Sequence, residues 1–370
     1  MADRFEYSTT PEERAFLRAE RMAKRLERQH LRRKQRRRQY LFFFGLCLAV
    51  SVCIVCGIVT VRSFIHASDN NDTTKTLSTQ PPEVPVAPEV PVIVPEESEA
   101  PFAIPLSDST LLIGEELSSQ YAIFIDLTGE KVLAHKSSDV VVSPASMTKI
   151  LTVLVAAEHA ENLEATVTID THITDYCFVN ECSVAGFLRD EKVRVKELFY
   201  GTILPSGADA ALALAEYVAG SHEAFVELMN DKVEELGLSE TAHFTNCVGL
   251  YNERNVCTVY DIAMILRAAM ENDLCREVLT TKIYNIDANL EHPEGLVLSN
   301  WFLRRIEDYI PEGMEVIGAK TGYVSQAGNC AASIAQTDSG DYYICVTANT
   351  TSSKQCIQDH VQLYTTYMGY

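Results

Sequence analysis

The sequence predicts a mixed α/β domain of the α+β type, with one antiparallel sheet covered by helices, over residues 105–370. Short apolar runs on both sides of a turn predict paired strands at 120–126 and 131–135. A second pair is predicted near the end of the chain, at 328–336 and 341–348. Because helical periodicity fills the sequence between the two pairs, we expect a sheet built from distant segments and covered by helices.

The first predicted helix begins near Ser146 and continues through the apolar run 150–155. Short strands are predicted at 167–169 and 193–195, around an irregular loop. In chain order, the predicted helix at Ser146 follows directly on the first pair of strands.

The remaining helices have recognisable ends. Residues 196–218 are helical in pattern but are interrupted at 204–207 by a proline and a glycine. An amphipathic helix is predicted at 221–236, and further helices at 258–270 and from Ser353 onward. No internal repeat is visible.

Charge is distributed unevenly along the chain. The net charge is −20, but residues 1–40 carry 13 Lys/Arg and 6 Asp/Glu and are therefore basic. The remainder is strongly acidic, which argues against nucleic acid as its partner.

Residues 39–61 form a run without charged side chains, long enough to cross a bilayer as a helix. Arginines 36–38 lie just before the run and only Arg62 lies close after it. The positive-inside rule therefore predicts a basic cytoplasmic segment at 1–38, a single transmembrane helix at 39–61 and an extracellular body. A cleaved signal peptide is the alternative, but the basic region and the apolar run are both longer than such peptides have.

Residues 62–104 are predicted to be an extracellular linker, with prolines spaced closely after Gln80. Proline at this density favours an extended polyproline II chain of about 3.1 Å per residue, so the linker could hold the body up to about 100 Å from the membrane. The sequence therefore predicts a membrane-anchored protein whose folded domain, at 105–370, stands clear of the cell membrane.

Three short motifs follow one another in the body. Ser146 and Lys149 form the only Ser-x-x-Lys in the chain, and on a helix their side chains share one face. A serine becomes a nucleophile when a neighbouring base takes its proton, and a desolvated lysine can be that base. The second motif is Ser206 followed by Gly207, and the third is the run 320–322, a Lys-Thr-Gly predicted to lie on a strand. The order of the three is far more specific than any one of them.

With these motifs the chain resembles the serine-type D-alanyl-D-alanine carboxypeptidases, the low-molecular-mass penicillin-binding proteins of bacteria. The resemblance extends over about 110–370 and includes the runs 183–187, 241–250 and 258–263. It implies a β-lactamase/transpeptidase-like fold, in which a mostly helical subdomain accompanies the sheet.

The resemblance also implies the roles of the motif residues. Ser146 would attack the carbonyl between the terminal D-alanines of a peptidoglycan stem peptide, and Lys149 would accept its proton. Ser206 would relay a proton to the departing D-alanine. The substrate-binding residues would be Lys320, Thr321, Gly322 and Tyr323, of which the first two would hold the terminal carboxylate. The backbone N–H groups of Ser146 and Tyr323 would form the oxyanion hole, and β-lactam antibiotics would acylate Ser146.

One residue departs from the family pattern. The second motif usually reads Ser-Gly-Asn, whereas Ala208 stands in the third position here. Its side chain can contact neither the substrate backbone nor the catalytic lysine as an amide does. A catalytically impaired wall-binding protein is therefore one alternative to a carboxypeptidase, and a β-lactamase of related fold is another.

Cofactors and metals are not expected. The histidines of the body, among them His135, His172 and His243, show no paired metal-ligand spacing, and no cysteine occupies a motif position. Two disulfides are hypotheses, Cys177–Cys182 and Cys247–Cys257, because each pair brackets one loop.

Overall fold

The computed structural model describes residues 103–368. The basic segment, the transmembrane helix and almost all of the linker predicted from the sequence lie outside these residues. Within them, no helix combines the length and apolarity needed to cross a bilayer.

Residues 103–368 contain ten strands and nine α-helices. The strands are β1 Leu111–Leu112, β2 Tyr121–Asp126, β3 Lys131–Lys136, β4 Thr166–Thr168, β5 Lys192–Arg194, β6 Ile283–Ile286, β7 Leu296–Ser299, β8 Met314–Val324, β9 Gly328–Thr337 and β10 Tyr342–Thr350. The helices are α1 Thr148–His159, α2 Thr171–Val179, α3 Val195–Ile203, α4 Ala208–Ala219, α5 His222–Glu235, α6 Val259–Glu271, α7 Asp273–Leu279, α8 Leu303–Ile306 and α9 Ser353–Tyr367.

The main sheet joins the two ends of the domain, as the sequence predicts. Its strand order is β1-β3-β2-β10-β9-β8, and every pair except β1–β3 is antiparallel. The seam between early and late strands pairs Phe124 with Cys345. β8 lies at one edge of the sheet and carries the Lys-Thr-Gly motif.

Alternating residues of β2 enter two separate cores. Ile123 and Ile125 belong to the larger core, which also contains the buried residues of α1 and α6. Phe124 points to the opposite face, where its ring meets Tyr364 of α9 edge-on at 5.5 Å between centroids. Helices therefore cover both faces of the sheet, because successive side chains of a strand point to opposite sides.

Side-chain caps begin three of the predicted helices. Ser221 and Ser352 accept hydrogen bonds from Ala224 N and Gln355 N. Thr258 and Asp261 form a reciprocal capping box at the start of α6. These caps place the helix starts within one or two residues of the positions that the sequence predicts.

Two features were missed from the sequence. The stretch predicted to be an irregular loop contains α2. This helix was missed because its β-branched and aromatic residues are weak helix formers. The β6–β7 hairpin was also missed, since its strands are only four residues long.

Candidate active site

The proposed nucleophile lies in a strained turn. Ser146 is the central residue of a short 3₁₀ turn, Ala145–Met147, that leads into α1. Ala145 has φ of 47°, a left-handed conformation that non-glycine residues rarely adopt. Such a strained backbone persists only where the surrounding packing maintains it, and it is commonly found at functional turns.

Lys149 lies one turn along and is held against the serine. Its Nζ is 3.1 Å from Ser146 Oγ and donates a 2.6 Å hydrogen bond to the backbone oxygen of Val248. The residue is only 2% exposed, because α1 is packed on all sides from Thr148 to Ala156. Burial lowers the pKa of Lys149 to about 8, since desolvation disfavours its charged form. The sequence-predicted pair is thus brought together, and Lys149 gives up its proton more readily than an exposed lysine does.

Asn246 orients the loop that supplies the Val248 oxygen. Its Oδ1 accepts hydrogen bonds from the backbone N–H groups of Gly249 and Leu250, at 2.7 and 3.0 Å. Its Nδ2 donates to the Leu250 oxygen at 3.0 Å. The sequence places this segment in the family resemblance but indicates no role for its asparagine, because that role depends on the loop folding against α1.

A second lysine–serine pair faces the first. Lys320 Nζ donates to Ser206 Oγ at 2.8 Å and to the backbone oxygen of Thr321 at 2.6 Å. Lys320 is 2% exposed, and its pKa lies well below the ordinary value, first because of burial and then because of the positive charge of Lys149. Ser206 itself has φ of 63°, so both serines occupy strained turns.

Gly322 lets β8 approach the nucleophile turn. A Cβ on Gly322 would lie 2.9 Å from Ser146 N and 3.0 Å from both Ala145 Cβ and Cys330 Sγ. The atoms nearest to an added Cβ thus belong to the nucleophile turn and to β9. The strand backbone therefore passes close to the N–H of the nucleophile.

An open cavity of about 800 Å³ lies in front of these groups. Its lining includes both motif serines and Lys149, together with Ala208, Thr321, Gly322 and Tyr323. The Tyr323 side chain is 63% exposed. Lys320 does not line the cavity but lies behind Ser206, so its charge reaches the cavity through that hydroxyl.

Ala208, which stands where the family pattern has an asparagine, contacts the neighbouring loop at Ser183. Ala208 is buried and its N–H donates to Ser183 O at 2.8 Å. Next to it, the buried Asp209 carboxylate accepts from Ala185 N at 2.7 Å and from Gly186 N at 3.1 Å. These contacts fasten the run 183–187 against the second motif.

The predicted disulfides are not formed. All eight cysteines in the described part of the chain are free. The Cys247–Cys257 prediction is wrong. The Cys247 thiol donates a hydrogen bond to Ala211 O at 3.7 Å, whereas the backbone of Cys257 pairs with the backbone of Val142. Cys177 and Cys182 are also free, although their side chains lie close to each other.

Comparison with known proteins agrees with the sequence motifs. The profile of the peptidase S11 family, D-alanyl-D-alanine carboxypeptidase, matches residues 108–352. The chain belongs to this family. The match covers all three motifs, from the Ser146 turn to β8.

Individual relatives are identical to this chain at about a third of the aligned residues. The chain is 32% identical over 209 residues to the D-alanyl-D-alanine carboxypeptidase DacF of Bacillus subtilis, covering 56% of this chain and 52% of that protein. It is 35% identical over 205 residues to a D-alanyl-D-alanine carboxypeptidase of Streptomyces sp. strain K15, covering 54% of this chain and 69% of that one. The match therefore spans only about half the length of the Bacillus relative.

The fold has solved counterparts. The Streptomyces K15 DD-transpeptidase crystal structure aligns with a TM-score of 0.63 at 28% identity, over 69% of this chain and 98% of that chain. A D-alanyl-D-alanine carboxypeptidase from Mycobacterium tuberculosis aligns with a TM-score of 0.60 at 25% identity, over 70% of this chain and 94% of that one. The predicted transpeptidase-like α+β fold is thus confirmed.

Proposed function

We propose that this protein is a serine-type D-Ala-D-Ala carboxypeptidase that removes the terminal D-alanine from peptidoglycan stem pentapeptides through an acyl-enzyme on Ser146. The observation that carries the proposal is the contact of 3.1 Å between Lys149 Nζ and Ser146 Oγ in a buried site. Family membership supplies the substrate class. No metal or other cofactor enters the proposed reaction.

Acylation begins at the Ser146–Lys149 pair. Neutral Lys149 takes the hydroxyl proton as Ser146 Oγ attacks the carbonyl carbon of the penultimate D-alanine. The backbone N–H groups of Ser146 and Tyr323 receive the developing oxyanion, which the close approach of β8 at Gly322 supports. In comparable sites one such donor contributes about 3–4 kcal/mol to the transition state.

The Lys320–Ser206 pair serves the leaving group. Ser206 Oγ lines the cavity and passes a proton to the nitrogen of the departing D-alanine. The Thr321 hydroxyl binds the terminal carboxylate of the substrate, with the Lys320 ammonium just behind Ser206. Because an anion stabilises the charged form of Lys320, substrate binding raises its lowered pKa.

Water, as the acyl acceptor, completes a carboxypeptidase cycle. An amine acceptor would instead give transpeptidation, the activity named for the Streptomyces K15 structure. A β-lactamase would turn penicillin over rapidly, whereas a carboxypeptidase retains it on Ser146. An impaired binding protein would hold stem peptide without releasing D-alanine.

We also propose that the protein is anchored in the cell membrane by a single N-terminal helix at 39–61. The uncharged run and the flanking arginines support this location, with the N-terminus in the cytoplasm and the catalytic domain outside. Such a site suits peptidoglycan, which lies beyond the membrane surface.

The proposed activity predicts that the full chain is labelled by a fluorescent penicillin and releases D-alanine from a stem pentapeptide. The Ser146→Ala variant is expected to do neither while keeping its fold, because alanine is smaller than the serine it replaces. Labelling is read on a denaturing gel, and D-alanine by an enzyme-coupled assay. A wild-type protein that neither labels nor releases D-alanine contradicts the proposal. Rapid release of hydrolysed penicillin would identify a β-lactamase.

The pKa of Lys149 sets the pH dependence. The neutral amine is the base, so the rate of acylation by penicillin rises with pH through about 8 and then levels off. Stopped-flow acylation rates at constant ionic strength measure this profile. A rate that falls between neutral pH and about 8 would contradict the assignment of Lys149 as the base.

The alanine of the second motif offers a gain-of-function test. In Ala208→Asn, the new amide can contact both the substrate backbone and Lys149, and we expect a several-fold faster acylation by penicillin. Ala208→Leu is the matched control, since leucine has a similar size but no amide. Equal acylation rates in the two variants would show that the amide contributes nothing here.

A further inference from the structure

Helix α2 ends in a Schellman turn. Cys182 N donates to Cys177 O at 2.9 Å, and Glu181 N donates to Phe178 O at 3.3 Å. Glu181 has φ of 51°, the left-handed conformation that this turn requires after the helix. A Schellman turn brings two side chains together, one in the last helical turn and one just past the left-handed residue. Both positions hold a cysteine here, Cys177 and Cys182.

The two thiols are therefore in contact through the backbone geometry of the turn. Each thiol lies close enough to the other to shift its pKa. Cys177 is 4% exposed, whereas Cys182 is partly open to solvent. A disulfide needs closely spaced side chains pointing toward each other, and the turn supplies this arrangement.

The outer thiol belongs to the candidate active site. Cys182 lines the same cavity as Ser146 and Ser206. Its neighbour Ser183 accepts the hydrogen bond from Ala208 N. A chemical change at Cys182 therefore alters the cavity wall next to the second motif.

The chemistry of the pair favours exchange at Cys182. The neighbouring Cys177 thiol lowers the pKa of the Cys182 thiol, and the Lys149 charge acts in the same direction. The thiolate is the form that attacks a disulfide. Burial raises the pKa of the other two thiols that line this cavity, to about 11 for Cys356 and well above the ordinary value for Cys330. Cys182 is thus distinguished from them by both access and charge.

We propose that Cys177 and Cys182 form a reversible disulfide in the wall of the candidate active-site cavity, by exchange with an external disulfide that enters the cavity. The Cys182 thiolate attacks one sulfur of the external disulfide and releases one thiol. Cys177 then attacks the Cys182 sulfur of the mixed disulfide, loses its proton and releases the second thiol. The cysteine pair loses two electrons and two protons, and the external disulfide gains them.

Oxidised glutathione is the probe for the test. The full chain is incubated with it under native conditions, quenched with acid, unfolded and alkylated, and each cysteine is mapped by mass spectrometry. We expect alkylation to be lost at Cys177 and Cys182 together, with two hydrogens fewer in the joined peptides, and to return after dithiothreitol. Full alkylation at both residues, or a lasting glutathione adduct on Cys182, would overturn the proposal.

Single-site variants test the order of events. Cys177→Ala should trap glutathione on Cys182, because the resolving thiol is gone. Cys182→Ala should leave Cys177 unmodified, because Cys177 is buried. Cys275→Ala is the matched control, since this buried thiol donates to Val153 O elsewhere in the core, and it should oxidise like the wild type. Modification of Cys177 in Cys182→Ala would contradict the assignment of Cys182 as the entry point.

A last measurement tests access through the cavity and rests on the proposed function. Prior acylation of Ser146 by penicillin should slow the oxidation of Cys182 several-fold, because the acyl group fills the space in front of it. An unchanged rate on fully acylated protein would refute entry through the cavity. A protein that takes up no penicillin refutes the proposed function instead, and the thiol mapping still decides whether the disulfide forms.

Discussion

Replacing Lys149 with methionine should abolish acylation by penicillin and, at neutral pH, make the protein harder to unfold. The variant loses the base that takes the Ser146 proton, so its acylation rate should fall by at least about a thousandfold. It also removes a buried amine whose pKa falls from 10.5 to about 8 on folding. That shift corresponds to about 3 kcal/mol of lost stability near pH 7. The loss of the hydrogen bond to Val248 O offsets about 1–3 kcal/mol of the gain.

The pH dependence isolates the charge effect. Between about 8 and 10.5 the unfolded chain binds more protons than the folded one, so the stability of the wild type rises with pH in that window. The advantage of Lys149→Met should therefore shrink by about 2 kcal/mol between pH 7 and pH 10. Chemical unfolding at both pH values measures it, with Lys131→Met as the control because Lys131 is exposed. If the stability advantage of Lys149→Met does not change with pH, burial does not lower the pKa of Lys149.

Replacing Gly249 with alanine should disable the site without changing any motif residue. Gly249 has φ of 80°, and an added Cβ would collide with the backbone oxygen of Ala145 and lie 2.8 Å from Ser146 N. The nucleophile turn must then move. Since a displacement of about 1 Å can cost about a hundredfold in rate, we expect at least that loss in acylation.

Gly220 provides the matched control. It has φ of 77°, nearly the same conformation, but nothing lies within 4 Å of an added Cβ. Gly220→Ala should therefore cost only the backbone strain, about 1–2 kcal/mol of unfolding free energy, and leave acylation unchanged. Equal acylation rates in the Gly249 and Gly220 variants would show that the contact with Ala145 does not position the nucleophile. Unfolding curves for both proteins separate loss of fold from loss of site.

Much of the fold was predictable because its signals are local. The strands at 120–126 and 328–336 are short, mostly apolar runs next to turn residues, and Thr258 is a capping residue that indicates the start of a helix. The α2 helix escaped prediction because its stability comes from packing, which overrides weak propensity. Secondary structure near the site was therefore less predictable than in the core helices.

The sequence by itself determined which residues are the candidates for the chemistry and in what order they occur, since Ser146, Lys149, Ser206 and Lys320 are marked by short motifs. Only the tertiary structure decided the surroundings of these residues. Lys149 becomes a candidate base because α1 is packed on every side, and the buried Lys320 contacts the Ser206 hydroxyl. Glycine at 322 serves the approach of β8 to the Ser146 turn. Burial and close contact between distant segments set these pKa values and distances, and neither is written in the local sequence.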